Sequence, residues 1–354
     1  WDINCVDEWD NVGHASSVFS LSVDANAYQI NNCIQLQDMN LDLGGNYFLI
    51  NDVNCYDNTH SGGVLYNGGA GFLPVGNSVN KFTGSFDGNY HTVNELYLNR
   101  VGVSGVGLFG YTYGATVLKV GIVGGTFHAQ GQGGPLIGDA NTTTVSNCYG
   151  NVTISTGNFN AGALLGGLVG SMDGGIIEKS YVVGNIYGGA YYIGGLVGHF
   201  ISGTITDCYT TGNVGAGRES AGGIVGGSSP GTKTISNSYS TGTISAGYQG
   251  YAGGLVGGYG LSSDYTIKNS FSTGDIGGGS SGGLAAGSTA TIINSYYLFT
   301  GTYNYGTLET GGVSAFYNST HGVYTGSPAW DFNTVWGVCE GTSYPTLKWE
   351  NKSC

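Results

Sequence analysis

Gly195-Leu196-Val197-Gly198, followed shortly by Ile205-Thr206-Asp207-Cys208-Tyr209, is the stretch on which the fold turns. The first phrase recurs as Gly107-Leu108-Phe109-Gly110, Leu136-Ile137-Gly138, Gly167-Leu168-Val169-Gly170, Gly223-Ile224-Val225-Gly226, Gly254-Leu255-Val256-Gly257 and Gly283-Leu284-Ala285-Ala286. Its first apolar residue stands at 108, 136, 168, 196, 224, 255 and 284, a spacing of 28 to 32 residues. The second phrase recurs between these as Val145 to Tyr149, Ile177 to Tyr181, Ile235 to Tyr239, Ile267 to Phe271 and Ile292 to Tyr296. Both phrases are short, rich in β-branched residues and bounded by glycine, so each reads as a strand and no room is left for helices.

A helix-free unit of this length with two or three short strands is the signature of a parallel β-solenoid, one unit per coil. The expected fold class is therefore all-β, a right-handed parallel β-helix. Coils stack at about 4.8 Å, which turns equivalent residues into ladders along the axis. Tyr149, Tyr181, Tyr209, Tyr239, Phe271 and Tyr296 form one aromatic ladder on this reading. Asn147, Asp207, Asn237 and Asn269 form a polar ladder at a bend, interrupted by Lys179. The glycines of the first phrase are expected to serve corners with positive φ and close approach of neighbouring coils.

These phrases resemble the GLUG-motif repeat family of bacterial and archaeal secreted or surface proteins. The similarity extends upstream to Tyr47 through Asn54, Phe82 through Asn89 and Val93 through Leu96, and downstream to Trp330 through Val338 and Tyr344 through Trp349. It spans roughly residues 29 to 350 and implies the fold more strongly than a function. The zinc peptidase activity attached to some larger proteins with these repeats is not implied, because no H-E-x-x-H is present.

Four parts follow: an N-terminal extension over residues 1–28, a cap helix and entry coils over 29–105, the repeat solenoid over 106–300 and a C-terminal cap over 301–354. Asn32 before Ile34, Leu36, Met39 and Leu43 predicts a short capped amphipathic helix over the first coil, whose backbone would otherwise be unpaired. Within the extension, Ser17 to Val23 alternates polar and apolar with period two. That is a strand, free to join its own domain or a neighbouring molecule.

The 354 residues include 69 glycines and only 5 prolines, with 40% hydrophobic and 12% aromatic residues, enough apolar area for a core. A formal charge of −13, with nine scattered basic residues, offers no footprint for nucleic acid and disfavours anionic membrane surfaces. No apolar run approaches the length of a spanning helix, so membrane insertion is not expected. The chain opens on Trp1 with no basic-then-apolar leader, which reads as an exported product after signal removal.

Motifs of chemistry are absent or lack their context. Gly105 to Gly110 spells G-x-G-x-x-G, but Tyr111-Thr112-Tyr113-Gly114 opens no helix to receive a phosphate. Gly278 to Gly282 spells G-x-S-x-G without a strand-turn-helix around it. Asp38, Asn40 and Asp42 begin like a calcium loop that Leu43 and Leu49 break at its glycine and glutamate positions. The histidines, His14, His60, His91, His128, His199 and His321, are isolated. Asp173, Glu178, Asp207, Glu219, Asp264 and Asp275 occupy non-equivalent positions, which reads as solvated loop charge and not as the clustered acids of a polysaccharide-cleaving groove. No catalytic residue, cofactor or metal is assigned. Tyr187, Tyr191, Tyr192, Tyr248, Tyr251, Tyr259 and Tyr265 lie between phrases, open to sugar stacking, to an interface or to simple corner filling.

Cys148 and Cys208 share a column two coils apart, about 9.6 Å, which exceeds the reach of a disulfide. Cys33 with Cys55 and Cys339 with Cys354 are the expected pairs, closing the two end regions of an exported chain. Cys5 is left over, open to an intermolecular bond, a free thiol or reshuffling. Asn141, Asn151, Asn318 and Asn351 permit N-glycosylation without demanding it.

The sequence thus suggests a non-enzymatic extracellular structural protein, an adhesin or the subunit of a self-assembling surface filament, its partners being further copies head to tail or a surface glycan or protein. The alternative is a carbohydrate-binding or carbohydrate-cleaving β-helix protein, which needs an acidic groove with an aromatic platform on a lateral face. Ice binding would need a regular threonine array. Beside the column of Thr211, Thr241 and Thr273, the neighbours Thr210, Ser240 and Ser272 alternate type.

Overall fold

Stacked short strands make up almost all of the regular structure. The computed structural model describes residues 27–100, 102–156, 163–258, 265–287, 290–298, 307–308, 324, 329–339 and 343–352. A 12-stranded sheet runs from Tyr28–Ile30 through Asn46–Leu49, Ser85–Asp87 and Thr116–Leu118 to Ile137–Ser146, Val169–Glu178 and Val197–Thr206, and ends at Thr291–Ile293. A 10-stranded sheet runs beside it from Val53–Asn54 to Thr307–Leu308, and a five-stranded and a six-stranded sheet complete the repeat coils. Pairing is parallel and in the register of the repeats, with Val169 opposite Val197 and Tyr209 opposite Tyr239. The chain is a parallel β-solenoid with a short helix at its N-terminal end.

Two details depart from the expected coil. There are four strand positions per repeat coil instead of two or three. In three coils the two phrases are joined into single ten-residue strands, such as Val169–Glu178, because Met172 and Phe200 keep pointing into the core between the phrases. The bend is absorbed by a register shift between Met172 and Ile176 and not by a break in pairing.

The core is built from the repeated aliphatics. Leu168, Leu196, Ile224, Leu255 and Leu284 are fully buried, as are Val169, Val197, Val225 and Val256. Each contributes roughly 1.5–3 kcal/mol by leaving water.

The corner before the aromatic ladder has a positive φ in every coil: Asn147 55°, Lys179 44°, Asp207 53°, Asn237 47°, Asn269 48° and Asn294 44°. Asn and Asp suit this left-handed conformation, in which Cβ crowds the backbone of other residues. Between coils, Asn237 Nδ2 donates to Asp207 Oδ1 at 3.0 Å. Lys179 holds the same conformation without the local compensation, so Lys179→Asn is expected to stabilise the fold by of order 1 kcal/mol, read as a raised urea midpoint at unchanged slope.

The glycines of the first phrase do a different task from half of that expected of them. Those of the repeat phrases from Gly167 to Gly257 lie outside the positive-φ set, so the corners before the aromatic ladder belong to Asn and Asp, with Lys179 in one coil. What these glycines supply is clearance. A Cβ on Gly195 would fall 2.0 Å from Gly223 O in the next coil, and one on Gly253, the residue just before the phrase at Gly254, would fall 1.7 Å from Val256 O in its own arch.

Beside the corner runs a column of serines and cysteines. Ser238 Oγ accepts from Cys208 N at 3.2 Å and donates to Ser236 O at 2.7 Å, and Ser270 repeats the pattern beneath Ser238 N at 3.1 Å. Cys148 and Cys208 stand in this column as buried free thiols. Burial pushes Cys148 up to about 12 and Cys208 well above the ordinary thiol range, so both stay protonated.

At the N-terminal end, Asn32 caps the helix Cys33–Asp38 by accepting from Gln35 N at 3.0 Å, and a 3₁₀ turn, Met39–Leu41, follows. Its buried face is Cys33, Leu36 and Met39. Ile34, expected on that face, is instead exposed, because the disulfide draws Cys33 inward one position earlier.

Candidate interaction surfaces

The aromatic ladder is a continuous stack. Ring centroids are 5.0 Å apart for Tyr149 and Tyr181, 4.8 Å for Tyr181 and Tyr209, 5.1 Å for Tyr209 and Tyr239, and 5.0 Å for Tyr239 and Phe271, with planes within 6°. Tyr296 pairs in register beyond Phe271. Strand register alone fixes this spacing, and it sits in the usual range for ring pairs.

The outer side of this stack is covered by the chain itself. The described part of the C-terminal segment lies along the side of the solenoid as a strap. Trp349 packs over Tyr181 and Tyr209, Trp336 over Tyr239 and Phe271, and Trp330 and Tyr344 over Phe271. Trp349 Nε1 donates to Asp207 O at 3.1 Å, and Trp330 Nε1 donates to Asn294 O at 2.9 Å. Tyr239 OH donates to the Glu350 carboxylate at 3.0 and 3.1 Å, and Lys352 Nζ stands 2.6 Å from the same group. Glu350 is 1% exposed in its side chain, so this is a buried, paired carboxylate. Burial first, then the Glu350 charge, holds the Tyr239 phenol far above the ordinary tyrosine range and keeps it a donor. The strap itself is pinned by an antiparallel pair, Trp336–Gly337 with Thr346–Leu347.

A second surface lies at the N-terminal end. The outer edge of Tyr28–Ile30 pairs with no strand among the described residues. Beside it is a cleft of ≈ 330 Å³ lined by Tyr28, Gln29, Ile30, Gln35, Asp38, Leu41, Asp42 and Tyr47. Tyr28 is 54% and Leu41 86% exposed there, a large apolar offering for an end face.

A third lies on the long sheet, where Tyr111, Asp139, Ser171 and His199 align in one column of successive coils. Burial lowers the His199 pKa, with Lys233 acting in the same direction and Asp173 against it, so the ring is neutral near pH 7. His199 Nε2 lies 2.9 Å from Ser229 Oγ and the ring stacks on Tyr192 at 5.4 Å. Burial raises Asp139, with Lys81 opposing and Asp173 adding to the shift. Of the acids weighed from sequence, Asp173 accepts from Ser202 Oγ at 2.8 Å, Glu178 from Ser146 Oγ at 2.9 Å and Asp207 from Asn237. Each is thus bonded to a neighbouring coil. The grouping of Asp139, Asp173 and His199 on one sheet was not visible in the sequence, since three coils contribute.

Cys33 and Cys55 form a disulfide with Cα atoms 5.2 Å apart. Cys339 is disulfide-bonded to a residue outside the described set. Cys354, Cys5 and Asn318 lie outside it too, as does the Ser17 to Val23 segment. Asn151 and Asn351 are exposed and Asn141 is half-buried. Of the inter-phrase tyrosines, Tyr187 and Tyr248 are exposed, Tyr191, Tyr192 and Tyr251 are half-buried, Tyr265 is fully buried and Tyr259 is outside the described residues. Among the described residues no group of three or more His, Cys, Asp or Glu is arranged to hold a metal, and no helix is long and apolar enough to cross a membrane.

The motif known as GLUG matches residues 189–215, the coil that holds Gly195-Leu196-Val197-Gly198 and Cys208-Tyr209. The chain carries the GLUG motif. Over 104 residues the chain is 35% identical to halomucin of Haloquadratum walsbyi, a match covering 28% of this chain and 1% of that protein. The fold is similar to a crystal structure of a "putative immunoglobulin A1 protease" from Bacteroides ovatus, with a TM-score of 0.59 at 18% identity over 92% of this chain and 93% of that one. It is also similar to part of an IgA1 protease, with a TM-score of 0.54 at 18% identity over 76% of this chain and 21% of that one. At such identity these likenesses speak for a shared fold and not for shared chemistry.

Proposed function

We propose that the chain is an extracellular, non-enzymatic structural module, a surface adhesin or a subunit of a filament. The observation that carries this reading is the strap: the stacked aromatic ladder is occupied by the chain's own Trp330, Trp336 and Trp349, which binds several coils laterally into one rigid rod. The similarity to halomucin supports a surface location. On the filament version, residues 1–28 or Cys5 bridge subunits head to tail, a heterologous contact that propagates. Electron microscopy of the full chain and of a form lacking residues 1–28 tests this. Filaments from the first and isolated folded rods from the second are the expected result. Unchanged assembly after deletion removes the bridge, and isolated rods in both removes the filament.

A second reading, carbohydrate binding, draws on the long face, where Asp139, Asp173 and His199 share one surface with Tyr192 and the exposed Tyr113. A glycan array separates this reading from the filament version of the first, since a purely mechanical rod gives no selective signal.

A further inference from the structure

The N-terminal end presents two features together: an edge of Tyr28–Ile30 that no strand among the described residues covers, and the apolar cleft beside it. A parallel edge left open is a template for association, and native proteins cover such edges. We propose that residues 17–23 of the same chain fold back as an antiparallel strand on Tyr28–Ile30 and fill this cleft with Phe19, Leu21 and Val23.

The length of the connection selects the orientation. Only Asp24-Ala25-Asn26-Ala27 separates Val23 from Tyr28. A parallel partner needs a crossover of about a dozen residues or more, whereas hairpin loops take about 2–5. Asp and Asn are turn formers. The strand is therefore antiparallel.

Register then follows by counting. With 24–27 as the loop, Val23 faces Tyr28, Ser22 faces Gln29 and Leu21 faces Ile30. Directly opposed residues share a face of the sheet. Ile30 is buried and Tyr28 stacks on Tyr47 at 5.3 Å, whereas Gln29 is exposed. Leu21 and Val23 thus enter the apolar side, Ser22 meets water, and Phe19 continues the apolar row. A slip by one residue would send Ser20 and Ser22 into the cleft and leave the apolar row in solvent.

A second copy can offer the same segment, but donor and acceptor then both lie at N-terminal ends. Such an exchange is reciprocal and closes as a two-fold dimer instead of propagating. The tether favours the chain's own strand, because a short linker gives an effective concentration of about millimolar. The proposed strand does not include residues 1–16. The inference holds whether or not the chain is a surface rod.

The test uses the full chain with Cys5→Ser, Ser22→Cys and Gln29→Cys, oxidised at low concentration and mapped by peptide mass spectrometry. Opposed antiparallel residues lie about 4.5–5.5 Å apart at Cα, within disulfide reach. An intramolecular 22–29 bridge is expected, forming at least ~10-fold faster than a 20–29 bridge in the matching Ser20→Cys and Gln29→Cys variant. Equal bridging of both pairs, no bridging, or bridging between molecules alone overturns the proposal. Hydrogen exchange on the unaltered chain guards against a folding defect in the variants. Slow exchange within residues 18–23 supports the strand, and exchange at the free-chain rate overturns it.

Discussion

Replacing Trp336 by alanine is expected to weaken docking of the strap by about 3–5 kcal/mol, the usual cost of emptying a buried aromatic site. Trp336 is 1% exposed and touches Trp330 at 4.6 Å, Phe271 at 5.9 Å and Tyr239 at 6.3 Å, so little nearby can collapse into the space. Its backbone also anchors the antiparallel pair with Leu347. Loss should appear first in the strap and only later in the solenoid, because coils hold one another through their own ladders. Limited proteolysis should therefore cut among residues 329–352 while the coils remain protected, and hydrogen exchange at Thr346 and Leu347 should accelerate. Unchanged protection there would mean the strap does not depend on the tryptophan stack.

Gly253→Ala is expected to destabilise the solenoid by about 3 kcal/mol, the upper part of the overpacking range. The added Cβ would meet Val256 O at 1.7 Å and Val256 C at 2.6 Å, which are backbone atoms and cannot rotate away. Val256 O is also the acceptor for Ala286 N at 3.1 Å, so moving it disturbs a contact between coils. Gly277→Ala is the matched control. Nothing stands within 4 Å of its Cβ position and its φ is not positive, so a gain of about 0.4–1 kcal/mol is expected from the lowered entropy of the unfolded chain. Urea midpoints at equal slope measure both. Similar losses in the two variants would remove clearance as the reason for the glycines.

The coil stacking was legible because a parallel solenoid converts spelling into contact. Tyr209 and Tyr239 sit at one place in two copies of a phrase, and uniform register makes them neighbours. The task of each glycine was not legible to the same degree. Sequence reports a missing side chain but not whether φ or space requires it, and it is space at Gly253 and a polar side chain that serves the corner at Asn237. The face holding Asp139, Asp173 and His199 was hidden for a related reason: these residues stand in three different coils, Asp173 in a different column from the other two, so no short motif joins them.

By itself the sequence determined the period, the strands and the stacking of like on like, because these are local propensities multiplied by repetition. The strap was decided by tertiary structure alone. Trp349 reaches Asp207 across 142 residues and Glu350 reaches Tyr239 across 111, and neither lies in a repeat whose neighbours could announce its position. Such a contact forms only once the coils have assembled the aromatic surface that receives it, so no single stretch of the chain contains its cause.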